Sequence, residues 1–167
     1  LPEAQLDRFL LKLDVGYVNR SELHEILNRT TMAASPEIQP VLAPERILEH
    51  QSLVRQVVIA PHVQDYAIRC VLATHPEGEF ASGLTKQFLR FGASPRAAQA
   101  LVLGGKVKAL LDGRAHVSID DVKKVLLPAL RHRILLNFEG QAEGITPDMI
   151  LNDLIDNLPA DAPGVPA

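Results

Sequence analysis

From Pro44 onward, prolines stand at the heads of stretches whose apolar residues recur at helical spacing, and this pattern constrains the fold more than any other feature of the chain. Proline suits the first position of a helix, where its missing N–H costs nothing and its fixed φ is already helical. Pro44 precedes Glu45 and a stripe of Ile47, Leu48 and Val54. Pro61 precedes Val63, Tyr66, Ala67, Cys70 and Val71 at i, i+3, i+4, i+7 and i+8, a strong amphipathic signal. Ser94-Pro95 opens a helix expected to reach about Asp112, with Gly113 as its left-handed stop and Ala100, Leu103, Val107, Leu110 and Leu111 as its buried face. Gly104 and Gly105 inside that helix each cost roughly 0.8–1 kcal/mol against alanine, which predicts a kink or a close approach by a neighbouring helix. Ser118 caps the next helix, with Asp120 and Asp121 in its favourable first turn. Pro128 is expected to start a short basic segment, Arg131-His132-Arg133. Thr146-Pro147-Asp148 announces the last helix, with Leu151, Leu154, Ile155 and Leu158 on one face.

The first residues read differently. Phe9, Leu11, Leu13 and Val15 alternate with Lys12 and Asp14, which is strand period, and this is the only convincing strand ahead of a long helical series. A helix follows, with Ser21 as its expected N-cap and Leu23, Ile26, Leu27 and Thr30 on one face. The stretch from Thr31 to Pro44 has three prolines and no helical period, so it reads as a linker; His75 to Thr85 reads as a surface loop. The tail from Pro159 is expected to be mobile. Leu1 stands where a Met would open a complete chain, inside what reads as a structured element, and this predicts a piece of a longer protein.

Composition narrows the class. Aromatics make up 4% of the 167 residues and there is no Trp, so the core must be Leu, Val, Ile and Ala, which favours packed helices over a sandwich. The net charge of −3 argues against nucleic acid, including a helix-turn-helix built around Ser118. No run reaches the roughly 18 apolar residues of a membrane span. The single cysteine, Cys70, excludes an internal disulfide framework and fits a reducing compartment, hence a cytoplasmic protein; on the Pro61 stripe it reads as a buried small hydrophobe. The six histidines are scattered with no ligand spacing, so no metal site is expected.

Three arginine sites remain. Arg96 falls in the first turn behind Ser94 and Pro95, where the macrodipole disfavours a cation by roughly 0.3–1 kcal/mol. A guanidinium at a helix N-terminus is nevertheless well placed to meet a phosphate; the plainer reading is a surface arginine on a capped helix. Arg8 precedes the expected strand and either projects at a subunit boundary or pairs with Asp7. Arg131 and Arg133 either oppose the negative end of a helix or contact phosphate.

Four strings occur in order: Leu1-Pro2-Glu3-Ala4-Gln5-Leu6-Asp7-Arg8-Phe9, Gly92-Ala93-Ser94-Pro95-Arg96-Ala97, Leu111-Asp112-Gly113-Arg114 and Leu130-Arg131-His132-Arg133-Ile134. Together they resemble the C-terminal half of MoxR-family AAA+ ATPases, over nearly the whole chain and ending near Leu158. The resemblance implies a mainly α fold: a helical-bundle AAA+ lid domain preceded by one strand and one helix left over from an α/β P-loop core. The implied divisions are 1–31 for the end of the core, 32–43 for a linker, 44–158 for the lid and 159–167 for a flexible tail. In the family's pattern Arg8 resembles the arginine finger, acting in trans on a neighbour's nucleotide. Arg96 resembles sensor 2, presented by the helix start at Ser94 and Pro95, with its action in cis or in trans left open. Arg131 and Arg133 are further candidates for nucleotide contact.

The resemblance further implies ATP and Mg²⁺ in the full-length protein and a ring oligomer, by analogy a hexamer. It implies chaperone-like remodelling, with a metalloenzyme client or a von Willebrand factor A-domain partner. The chain holds no G-x-x-x-x-G-K-[ST] loop, so alone it is expected neither to bind nucleotide nor to hydrolyse ATP. Gly104-Gly105 departs from the family's small helix formers and suggests a weakened lid helix. A strand deprived of its sheet should exchange with another chain, dimerise, or pack onto the lid. A different reading of the whole is a helical interaction or adaptor domain with no nucleotide role.

Overall fold

Ser94, Ser118 and Thr146 each accept a backbone N–H from the first turn of the helix they precede, and these caps set the frame of the molecule. The structure is a computed structural model; it describes residues 2–31 and 37–161. Nine helices occur among the described residues: α1 (Glu3–Leu6), α2 (Arg20–Thr31), α3 (Pro44–Gln56), α4 (Pro61–Leu72), α5 (Gly83–Phe88), α6 (Pro95–Leu111), α7 (Ile119–Leu130), α8 (Phe138–Ala142) and α9 (Pro147–Asn157). Two small ladders tie their connections together. β1 (Val58–Ile59) pairs in parallel with β3 (His116–Val117), and β2 (Leu89–Phe91) pairs antiparallel with β4 (Leu135–Leu136).

The core lies where α4, α6, α7 and α9 meet. Val63, Tyr66, Ala67, Cys70 and Val71 of α4 are all buried, as their spacing predicts. On α9 the buried set is Ile150, Leu151 and Leu154, with Leu158 closing the end. On α6, however, the buried face is Ala97, Ala100, Leu101, Gly105 and Ala109, while Val107 and Leu111 are exposed. The small residues win because α6 lies against α7 at short range. A Cβ on Gly104 would come within 2.5 Å of Val125 Cγ1, and one on Gly105 within 3.0 Å of Val117 Cγ1. The glycine pair therefore marks a close helix approach. Leu111 is left outside, next to the turn that Gly113 makes at φ +73°.

Pro128 does not begin a segment; it sits in the last turn of α7. The carbonyls orphaned at that helix end all find donors. Leu127 O accepts from the Arg131 amide, Leu130 O from the Arg133 amide at 2.8 Å, Ala129 O from the Arg133 guanidinium, and Pro128 O from the Lys12 amide at 2.8 Å.

The expected strand over Phe9–Val15 is absent. Residues 11–19 form neither helix nor ladder, and Leu13 and Val15 are 72% and 91% exposed. A strand exists only through its partners, and none lies beside this segment among the described residues. Of the fates open to such a segment, residues 7–12 take packing onto the helical domain, through Lys12 and the contacts of Arg133 described below. The helix that follows is capped by Asn19, not Ser21. The Glu22 amide donates to Asn19 Oδ1 at 3.0 Å and the Asn19 amide to Glu22 Oε2 at 2.7 Å, a reciprocal box that Asn19-Arg20-Ser21-Glu22 encodes. Neither α2 nor α3 has a fully buried residue, and of the stripes read on them only Val54 is half-buried while Leu23, Ile26, Leu27, Ile47 and Leu48 stay exposed. The stretch expected to be a linker is helix-free over 37–43, and residues 32–36 fall outside the described residues. The start of the tail is pinned rather than loose: the buried Arg69 guanidinium donates to Pro159 O at 2.7 Å and Ala160 O at 2.9 Å. Residues 162–167 lie outside the described residues.

Candidate functional site

The helix start that carries Arg96 is built against the end of α4. The Ala93 amide donates to Thr74 Oγ1 at 2.9 Å, and His75 Nε2 donates to Ala93 O at 3.0 Å. A Cβ on Gly92 would lie 2.7 Å from Thr74 O and 2.8 Å from the His75 ring, so Gly92 is required by close approach, not by an unusual φ. Ser94 then caps α6, its Oγ accepting the Arg96 amide at 3.2 Å, with Pro95 at the first helical position. Arg96 emerges with its side chain half exposed. Its only ion-pair partner among the described residues is Asp7, at 4.0 Å from Nε, the outer limit of an ion pair.

Asp7 gathers the site. Its carboxylate accepts Ser94 Oγ, 2.9 Å from each oxygen, and Arg133 Nε at 3.1 Å. A carboxylate beside the N-terminus of α6 is favoured by the macrodipole there, and it offsets the repulsion that Arg96 meets. Arg133 is buried and its five N–H groups are all taken. Nε binds Asp7, Nη1 binds Leu10 O at 3.2 Å and Ala129 O, and Nη2 binds Asp7 O at 3.1 Å and Phe9 O at 2.7 Å. Burial pulls this guanidinium below its ordinary range, with the Asp7 carboxylate opposing. No donor is left on Arg133 for a phosphate, so of its two readings the contacts fit the structural one, in which it holds residues 7–10 and the end of α7.

Arg131 pairs with Asp148 at 2.8 Å and Asp14 at 3.5 Å, while its buried Nε has no partner among the described residues. His132 Nε2 donates to Phe9 O at 3.0 Å, and burial holds its ring below the usual imidazole range. Arg8 does not pair with Asp7. It is exposed and makes no ion pair or side-chain hydrogen bond among the described residues. Beside this cluster, Lys12, Phe91, Ser94, Arg131, His132 and Ile134 line a cleft of about 500 Å³.

The structure thus brings Ser94, Pro95, Arg96 and Arg133 around Asp7 and leaves Arg8 projecting beside them. Asp7 is the residue that sequence reasoning missed, because its partners lie 87 and 126 positions away. A fully buried carboxylate, Asp121, is a structural element. Arg114 grips it with two bonds of 2.7 Å while Ser118 completes a capping box, and the Arg114 guanidinium holds its carboxyl far below the usual range.

Residues 82–154 match the AAA lid domain family. Across 95% of its length the chain is 33% identical to the chaperone MoxR1 of Mycobacterium tuberculosis, covering 42% of that protein. It is 32% identical over 93% of its length to the uncharacterised protein YeaC of Bacillus subtilis, covering 46% of it. The crystal structure of a candidate ATPase from Cytophaga hutchinsonii superposes with a TM-score of 0.87 at 31% identity, over 95% of this chain and 48% of that one. The chain therefore spans less than half the length of each relative it matches.

Proposed function

We propose that this chain, a MoxR-like AAA+ segment whose residues 82–154 are an AAA lid domain, carries the two arginines through which a ring of such subunits senses and hydrolyses ATP. The observation that carries the reading is Arg96: a half-exposed guanidinium at a capped helix start, held only at 4.0 Å by Asp7. Its Nη groups make no hydrogen bond among the described residues, so they fit a phosphate oxygen without breaking an existing contact. On this reading Arg96 is sensor 2, coupling nucleotide phosphates to lid position, and Arg8 is the arginine finger offered to the neighbouring subunit's nucleotide.

ATP is the substrate. Mg²⁺ and the phosphate-binding loop belong to an α/β core whose loop motif this chain does not hold. Arg8 would stabilise charge developing during phosphoryl transfer, and its exposure with no partner leaves it available to do so. The wider assembly follows from the same reading: a cytoplasmic ring, by analogy a hexamer, doing chaperone-like remodelling on a metalloenzyme or a von Willebrand factor A-domain partner. Among the described residues no helix is long and apolar enough to cross a membrane.

The test uses the full-length protein. Arg8→Ala should abolish turnover while sparing ATP binding, and Arg96→Ala should impair both turnover and the nucleotide-driven response of the lid. Wild-type ATPase activity in both variants refutes the assignment and favours an adaptor domain without a nucleotide role.

A further inference from the structure

Arg8 stands between two residues whose backbone is gripped from the far end of the chain. Arg133 Nη2 donates to the carbonyls of Asp7 at 3.1 Å and Phe9 at 2.7 Å, and His132 Nε2 donates to the same Phe9 carbonyl at 3.0 Å. Three residues further on, the Lys12 amide closes on Pro128 O. The Asp7 side chain adds a third grip through Ser94, the cap of the helix that bears Arg96. The backbone on both sides of Arg8 is therefore fixed to the ends of α6 and α7, while the Arg8 side chain stays in solvent. A planar guanidinium with five donors suits such work, because it can reach several carbonyls at once where an ammonium reaches as a point. A buried arginine spending four of its five N–H groups on one short segment is costly to desolvate. Lys12 would satisfy Pro128 without it.

We propose that Asp7 and Arg133 are positioning residues that make the loop bearing Arg8 a rigid extension of the helix bearing Arg96, so that the two arginines of one subunit move together. The inference rests on the finger and sensor roles given to Arg8 and Arg96, and it adds the link between them. When the sensor helix shifts with the nucleotide it reads, Ser94 carries Asp7 with it and Arg8 follows. Sensor and finger thereby respond as one unit through a single carboxylate.

Arg133→Lys keeps the charge and removes the fork. In the chain itself, hydrogen exchange at the Lys12 amide should accelerate at least tenfold, with the amides of α6 and α7 unchanged. In the full-length protein, kcat should fall at least tenfold while the dissociation constant for ATP stays within threefold, the signature expected of Arg8→Ala. Adding Arg133→Lys to Arg8→Ala should change kcat less than twofold, because there is no finger left to misplace. A role in general stability predicts that the two losses multiply, and that result overturns the proposal, as does unchanged exchange at Lys12. Should Arg133→Lys fail to fold, Asp7→Asn conserves volume, removes the charge and carries the same readouts. Normal turnover in Arg8→Ala is distinguishable from all of these: it overturns the finger assignment, and the coupling with it.

Discussion

Replacing Gly104 with alanine sets helix propensity against packing, and the structure says which wins. In an isolated helix the substitution would gain about 0.8–1 kcal/mol. Here the new Cβ would lie 2.5 Å from Val125 Cγ1, 3.3 Å from its Cγ2 and 3.4 Å from its Cβ. Carbon atoms pack best at roughly 3.5–4.0 Å, so the valine must retreat by about 1 Å. Valine in a helix is confined almost wholly to one χ1 rotamer, and with both methyls facing Gly104, turning one away brings the other in. Overpacking of this kind costs about 1–3 kcal/mol. The balance is a destabilisation of about 1 kcal/mol, read as a lower urea midpoint at an unchanged m-value. Gly83→Ala is the control: nothing lies within 4 Å of its Cβ, so no clash opposes the gain. In a Val125→Ala background Gly104→Ala should turn stabilising, since the clash is gone. A Gly104→Ala single variant more stable than the parent would refute the claim that α6 and α7 are held at glycine-limited distance.

Asp121 supplies a pH dependence of known sign. Its carboxyl is held low in the fold, first by Arg114, so it binds its proton more readily when unfolded; the stability it confers is present above about pH 4 and lost as pH falls through and below that value. The urea midpoint should therefore be flat from pH 7 to 5 and drop toward pH 3, with a shallower drop in Asp121→Asn, while Asp121→Ala should cost about 3 kcal/mol at pH 7, the low end for a broken buried pair because Arg114 still reaches solvent. Cys70 is fully buried and desolvation pushes its thiol up to about 12, so a maleimide at pH 8 should leave it unmodified in the native chain and label it at once in urea; rapid native labelling would contradict the packing of α4.

The parts of the fold that local chemistry decides were legible. Ser94, Ser118 and Thr146 cap helices where a hydroxyl precedes a first turn, and the α4 stripe is buried because its large residues share one face. The failures share a cause, which is that the deciding partner is distant in sequence. On α6 two faces compete: the larger side chains of Leu103, Val107 and Leu111 attract a reading based on hydrophobicity. Only the position of Val125 shows that small residues must face inward. Alternation from Phe9 to Val15 has the period of a strand, yet without a ladder the backbone turns to Arg133 and Pro128 instead.

The same logic divides the site. Arg8 and Arg96 could be singled out because each sits in a recognisable string, but nothing within a few residues of Asp7 announces that it will accept Ser94 and Arg133. Arg133 is the sharper case, since next to His132 and Arg131 it looks like surface charge and is in fact buried with every donor spent. A basic string at a helix end has two physical uses, to meet an anion from outside or to satisfy carbonyls from within. The count of free N–H groups separates them: Arg133 has spent all five, four on carbonyls and one on Asp7, while the Nη groups of Arg96 make no hydrogen bond among the described residues.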